Sequence, residues 1–441
     1  MEKFDLAVIS SYHQETLSAE WFFTIAALNK SSILVTPNPN EYNTLKKHGV
    51  KVAYLKDYFP KSVPGKASIQ EYFAKKGITD LVAYVATERS YYQQSNDHLI
   101  HYAYKYAYAF EKFYDSISVK TVLHPVQGGE VIRRTASLTA NERSIPVIYL
   151  GETFVPGTVN LYSDEYRTVL KPIVPRELPE SKAKSIIEDK INRKPVVYYE
   201  TEKRRFVPTP MLEKIVTLIK DGNWNIVRAY FARKKVISVD YLIRETYTRF
   251  SGVFKKFDPG QKYFYLPFNV DAESELYIRN PGFVDQVAVV ERLAKHLPDG
   301  YKLYVKTHPG REGHLSISSY KRLTKIKNVV PLEGDVNSFD VVKHSQGVVL
   351  ASSTVGLESY IMGKPTCIIG HWPYAVYGNF IRVKDFSEVF TKMLSPAKAN
   401  DPVRFVQNVY SESVDGSIYA DSNAFKALVK SLFTMTYLKD N

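Results

Sequence analysis

The 441 residues contain a single cysteine, Cys367, so no disulfide forms within the chain. That excludes the small disulfide-stapled class and is the cysteine usage of a reducing compartment. No stretch holds the roughly 18 uninterrupted apolar residues that a membrane span needs. The first residues, MEKFDLAVISSYHQ, enter an apolar strand without a basic lead or a long apolar segment, so no secretory signal is expected. Also missing are an RNP run, a basic zipper, an Asp-x-Asp triplet and the clustered His/Cys spacing of zinc sites. The expectation is a cytoplasmic protein, at most peripheral on the inner face of the cell membrane, with no metal, no cofactor and no nucleic-acid partner.

Acidic residues are the scarcer sign. Against 59 Lys and Arg there are 46 Asp and Glu, leaving a formal charge of +13. That balance suits nucleic acid, an anionic membrane surface or small anionic substrates, and the missing nucleic-acid motifs favour the last two. The 33 tyrosines fit ordinary half-buried surfaces as well as sugar sites and decide nothing alone.

What is present is alternation. Apolar runs at 4–10, 31–37, 50–55, 80–86, 119–125 and 145–152 read as strands, with helices at 18–30 and 96–116 between them. After a helical stretch the alternation restarts with strands at 262–270, 301–306, 328–333, 347–351 and 366–370. Short strands that are nearly all apolar, alternating with helices, indicate buried parallel sheets of the doubly wound α/β type. The division that follows is an α/β unit over 1–184, a helical insertion over 185–260, a second α/β unit over 261–390 and closing helices over 391–441 that pack back. In such sheets ligands sit at the carboxyl ends of the strands, so the residues that end strands are the candidates.

Three strand ends in the second unit carry chemistry in order. They are Lys306-Thr307-His308-Pro309, Glu333-Gly334-Asp335 and Ser352-Ser353-Thr354-Val355-Gly356. Two hydroxyls beside the free N–H groups of a helix start suit a phosphate, and Gly356 permits close backbone approach. Glu333 suits the paired hydroxyls of a ribose, Lys306 adds positive charge, and His308 is placed to protonate a departing phosphate. Each alone has a plain structural reading: a strand end, a helix cap, a solvated acid. The conjunction points to a nucleotide-sugar site.

The runs VKTHPGREGH, PLEGD and ASSTVGLESYIMGKPTCIIG are similar to the His-Pro and Ser-Ser motifs of bacterial transferases that use CMP-activated sugars. The continuation GKPTCIIGHWPYAVYG, 363–378, resembles the capsule polysaccharide Kdo transferases, although His371 and Trp372 depart from that pattern. The resemblance covers about 300–380. It implies a GT-B glycosyltransferase of two facing Rossmann-type domains, needing no metal, with a glycan or glycolipid acceptor. His308 would assist the departure of CMP. Lys306, Pro309, Glu333, Ser352, Ser353, Thr354 and Gly356 would hold the donor. Transferases that use a CDP-activated polyol carry a similar His-Pro and Ser-Ser pair, so polyol-phosphate transfer stands beside sugar transfer. A two-lobed nucleotide-binding protein without turnover and a nucleotide-sugar epimerase are further alternatives.

The first unit must then supply a carboxylate across the cleft, as base or nucleophile. HPVQGGEVIRR, 124–134, nominates Glu130, with Glu88 and Glu152 as rivals. Glu130 equally suits the positive end of a helix. His124 reads as structural, and Arg133 and Arg134 as a solvated helix face, with contact to a sugar carboxylate as the alternative for each. The basic stretch from Arg233 to Lys256 reads either as a contact with an anionic membrane or as an ordinary charged helix face.

Overall fold

The computed structural model describes residues 1–10, 31–88, 95–172, 176–192, 239–270, 274–307, 315–418 and 422–434. The helix expected over 18–30 and most of the expected helical insertion lie outside the described residues, as does the His308-Pro309 pair.

The first sheet is built from β1 (Glu2–Ile9), β2 (Ser32–Thr36), β3 (Val52–Tyr54), β4 (Ile117–His124), β5 (Val147–Glu152), β6 (Thr158–Tyr162) and β13 (Val414–Asp415). Their order is β13-β6-β5-β4-β1-β2-β3. Strands β1 to β5 run parallel, whereas β6 is antiparallel to β5 and β13 to β6. The second sheet holds β7 (Tyr263–Pro267), β8 (Lys302–Lys306), β9 (Val329–Leu332), β10 (Val348–Leu350), β11 (Thr366–Ile368) and β12 (Ile381–Arg382), in the order β12-β11-β10-β7-β8-β9, all parallel. In both sheets the first strand lies at the middle and the series reverses beside it, which is the doubly wound, Rossmann-type order.

The apolar runs are continuous because both faces of each sheet are covered. In β1, Ala7 and Ile9 join Phe110, Phe113 and Ala136 of the helices Asn96–Ser116 and Val131–Asn141. Leu6 and Val8 face the other way, onto Leu428, Val429 and Leu432 of the helix Ser422–Thr434. The second sheet divides likewise, with Tyr263, Tyr304 and Leu350 on one side and Phe264, Leu303, Val349 and Cys367 on the other. Tyr263 and Tyr304 stack at 4.1 Å, and the Tyr263 hydroxyl donates to the Val341 carbonyl at 2.6 Å, which satisfies a polar tip inside the core.

The run at 80–86 is a helix, Leu81–Val85, and not the expected strand. The Asp80 carboxylate accepts from the Ala83 N–H at 2.9 Å and caps it. Leu81, Tyr84 and Val85 pack under the helix Asn96–Ser116, so the run is apolar because it is buried. Strands β6, β12 and β13 were not anticipated from the sequence.

After the second sheet the chain returns to the first. Arg176 donates to the Ser413 carbonyl at 3.1 Å, pairs with Asp415 and lies 4.0 Å over the Tyr410 ring. Glu152, at the end of β5, accepts from the Ile418 N–H at 2.7 Å and from the Ser417 hydroxyl. Among the described residues no helix is long and apolar enough to cross a membrane.

Candidate active site

The second sheet reverses between β7 and β10, and there the loops after the strands leave toward opposite faces. Asn269, just beyond β7, ties the two strand ends. Its side chain donates to the Ser352 carbonyl, and its N–H donates to Gln286 Oε1 at 2.7 Å. Ser352 follows β10, is 2% exposed, and its hydroxyl donates to Glu275 Oε2 at 2.7 Å. Ser353 Oγ accepts from the Val355 N–H at 3.3 Å, at the start of the helix Val355–Ile361. Thr354 is exposed beside it.

Gly356 has a packing role. A Cβ there would lie 2.9 Å from Trp372 Cη2 and 3.1 Å from Leu350 Cδ1. The glycine makes room for the buried Trp372 indole, and Trp372 belongs to the core beneath the crevice.

Lys306 ends β8 and is 2% exposed, with Nζ 3.4 Å from the Thr307 carbonyl. Its charge acts inward on Glu358, one turn into the helix Val355–Ile361. Burial pushes the Glu358 carboxyl up to about 7, against the pull of Lys190 and Lys306. Glu333 follows β9 at the same edge, half-buried, in a turn closed by its carbonyl accepting from the Val336 N–H at 3.3 Å. The structure thus brings Lys306, Glu333, Ser352 and Ser353 to one edge of one sheet. His308 and Pro309 follow Lys306 in sequence but lie outside the described residues.

Across the cleft, β4 ends at His124. Ser137 gives its proton to the Arg133 carbonyl and so accepts from His124 Nε2–H at 2.9 Å. Burial, with Arg133 nearby, holds the imidazole well below its usual range, so this histidine is a neutral strut stacked on Tyr149. In the loop that follows, Glu130 pairs with Arg133 at 2.9 Å, with the two side chains 11% and 3% exposed. A Cβ on Gly128 would collide with Glu130 Oε2 and Arg133 Nη1, so glycine is what allows the pair to form.

The expected solvated face of Arg133 and Arg134 is buried. Arg134 is forked onto Glu165 at 3.0 and 3.1 Å and lies 4.2 Å over the Tyr84 ring. The rival carboxylates are engaged with backbone. Glu88 Oε2 accepts from the Val131 N–H at 2.9 Å, and Glu152 holds Ser417 and Ile418. Ser10, at the end of β1, donates to Glu41 at 2.8 Å.

The halves meet at two loops. A Cβ on Gly129 of the first half would lie 3.1 Å from Ile278 Cδ1 of the second. In the loop after β6, the Asp164 carboxylate accepts from the N–H groups of Tyr166 and Thr168 and turns the chain so that Arg167 takes φ +66°. Arg167 Nη1 then reaches Glu275 Oε1 at 2.8 Å. Arg279 Nη1 meets the same oxygen at 3.0 Å, and its Nε donates to the Glu165 carbonyl at 2.8 Å. His371 Nε2 donates to the Tyr166 carbonyl at 2.8 Å. Burial opposes ionisation of Glu275, but Arg167, Arg279 and the Ser352 hydrogen bond outweigh it and hold the carboxyl below its usual range. Arg167 and Arg279 lie outside regular elements and Glu275 in a single helical turn, Ser274–Tyr277, so none of the three carries a periodic signal in the sequence.

Residues 246–381 match the model of a family described as capsule polysaccharide biosynthesis protein. That segment is less than half of the chain. No curated protein matches the chain. Among solved structures the chain is similar to two of Thermosulfurimonas dismutans KpsC. One is a beta Kdo 2,4 transferase (15% identity over 70% of this chain and 88% of that one, TM-score 0.35). The other is a beta Kdo 2,7 transferase (14% over 97% and 99%, TM-score 0.37). It is also similar to the UDP-GlcNAc 2-epimerase of Neisseria meningitidis (12% over 97% and 99%, TM-score 0.33).

Proposed function

We propose that this chain is a GT-B-type glycosyltransferase of capsule or other surface polysaccharide assembly, with a CMP-activated sugar of the Kdo type as donor and a glycan or glycolipid as acceptor. One observation carries the reading. The segment that matches the capsule polysaccharide family is the segment that builds the second sheet and its crevice. Lys306, Glu333, Ser352 and Ser353 all lie within it, at the carboxyl ends of three parallel strands. CMP as leaving group rests on the resemblance of the His-Pro and Ser-Ser runs, and Kdo on the run from Gly363 to Gly378.

In this reading the Ser352 and Ser353 hydroxyls and the N–H groups that open the next helix receive the CMP phosphate. Pro309 and Thr354 border it, and Glu333 accepts from the ribose hydroxyls. His308 passes its proton to the phosphate oxygen as the glycosidic C–O bond breaks, so CMP leaves without gathering a full extra charge. On the facing half, Glu130 accepts the proton of the acceptor hydroxyl as that oxygen attacks the anomeric carbon, and Arg133 fixes the direction of the carboxylate. No metal is required by these steps. The excess of basic residues favours an anionic membrane surface that presents a lipid-linked acceptor.

The test is incubation of the protein with CMP-Kdo, CMP-N-acetylneuraminate, CDP-glycerol or a UDP-sugar, following donor loss and CMP release. CMP release from CMP-Kdo in the presence of acceptor is the expected result. Turnover of CDP-glycerol alone identifies a polyol-phosphate transferase, and tight CMP binding without turnover of any donor identifies a binding protein. His308→Ala and Glu130→Gln should each lower the rate by about 10²–10⁴-fold, with CMP binding retained in Glu130→Gln. If a folded Glu88→Gln or Glu152→Gln loses the rate instead, Glu130 is not the base.

A further inference from the structure

Where the crevice of the second sheet would receive an anion, the chain places one of its own. Glu275 Oε2 takes the Ser352 hydroxyl, while Oε1 is held by Arg167 from the first half and Arg279 from the second. Among the described residues the charges in this junction do not cancel. Three guanidinium groups, Arg134, Arg167 and Arg279, face two carboxylates, Glu165 and Glu275, and Arg134 is committed to Glu165. Arg279 is almost fully covered, its side chain 2% exposed, and Arg167 is 24% exposed. Arg167 Nε is buried and has no hydrogen-bond partner among the described residues. Burial and the neighbouring Arg167 bring the Arg279 guanidinium down to about 10, a sign that two cations crowd one acid. Withdrawing an unpaired ionic donor from water is costly, and the cost is relieved when a second oxyanion oxygen reaches it.

We propose that Arg167, Arg279 and Ser352 form an oxyanion subsite of the donor crevice, and that Glu275 is an internal carboxylate which the ligand displaces. The phosphate monoester of CMP, the leaving group, offers three oxygens to the two guanidinium groups and the hydroxyl, where Glu275, the phosphodiester of the intact donor and a sugar carboxylate each offer two, so the spare Arg167 donor gains a partner as CMP departs. Because Arg167 comes from the first half and Ser352 from the second, the ligand joins the two halves through the same groups that Glu275 joins now. The identity of the oxyanion rests on the proposed function. In a CMP-activated sugar acid it is either the phosphate or the sugar carboxylate, and the subsite accepts the chemistry common to both.

The experiment is calorimetric titration of the full-length protein and of Glu275→Gln, Arg167→Ala and Arg167→Lys with CMP, cytidine, free Kdo and inorganic phosphate. Circular dichroism confirms that each variant is folded. Removing the internal competitor should tighten binding of the anionic ligands by about tenfold in Glu275→Gln, with cytidine unchanged. Arg167→Ala should weaken the same ligands by about tenfold or more, and Arg167→Lys, which keeps the charge but not the fork, should fall between. CMP and phosphate responding without Kdo assigns the subsite to the phosphate; Kdo responding alone assigns it to the sugar carboxylate. Anion affinities that are unchanged in Arg167→Ala, or unchanged or weaker in Glu275→Gln, overturn the proposal and leave the cluster as a tie between the halves. If phosphate follows the expected pattern while CMP binds no better than phosphate, the subsite stands and the cytidine-nucleotide reading falls. If CMP binds well and ignores both substitutions, the converse holds.

Discussion

Two carboxylates at one crevice are driven in opposite directions. Glu275 is held below its usual range by two arginines that outweigh its burial, whereas burial drives Glu358 up to about 7. Opposed shifts of this kind mark places where charge is handled. The Glu358 shift has a sign that can be checked. Its unfolded value is near 4.5 and its folded value near 7, so the folded state holds the extra proton between them. Stability contributed by the neutral carboxyl is therefore complete below pH 4.5 and is lost as pH rises through 7. Glu358→Gln keeps the shape and removes the ionisation. It should stabilise the protein by about 3 kcal/mol at pH 8 and by close to nothing at pH 4, read by denaturant unfolding at the two pH values. An equal effect at both would refute the assignment.

The helix Val131–Asn141 shows an element finished from outside itself. Glu130 stands at its N-cap position but makes no side-chain cap bond, having turned to Arg133. The first N–H, that of Val131, is taken by Glu88 from another loop, and Thr87 donates to the Gly129 carbonyl beside it. Glu88→Ala strips a buried N–H of its acceptor and should cost about 2 kcal/mol. Amide exchange at Val131 should quicken with it, and unchanged exchange would show that the cap lies elsewhere.

Tertiary capping of this sort is what the sequence conceals. The central strands were legible, because strands buried on both faces are apolar throughout. The run at 80–86 was misread for the same reason: the six apolar residues after Asp80 look alike as a buried strand or a buried helix, and only Asp80 gave a sign of the cap. The placing of Lys306, Glu333 and Ser352 at one sheet edge was legible from alternation. The meeting of Arg167 with Glu275 was not, since nothing local in either segment points to the other. The purpose of Gly356 also stayed hidden, since what approaches it is Trp372, an indole held in place by the tertiary fold.

At the scale of the molecule, the chain runs from the first sheet to the second and back. Gly416 makes the return possible. It takes φ +132°, and a Cβ there would lie 2.7 Å from the Leu428 backbone nitrogen. Gly416→Ala should cost at least about 2 kcal/mol, from strain and overlap together. Its effect should be uneven. Brief proteolysis is expected to cut within 414–434 while the second sheet stays protected, and uniform protection would show that the strand and helix tolerate the change.

The same return orders events in time. The edge of β6 is completed by β13, and the bond that locks the segment joins Glu152 to Ser417, 265 residues apart. A nascent chain that has already threaded β1 to β6 therefore carries an open strand edge, and a sheet face that still lacks Leu428, Val429 and Leu432, through synthesis of the entire second half. The second sheet, whose strands lie within one continuous stretch, has no such wait. Although it is made later, it is the half able to finish folding first, and the first half is sealed only when the helix Ser422–Thr434 emerges.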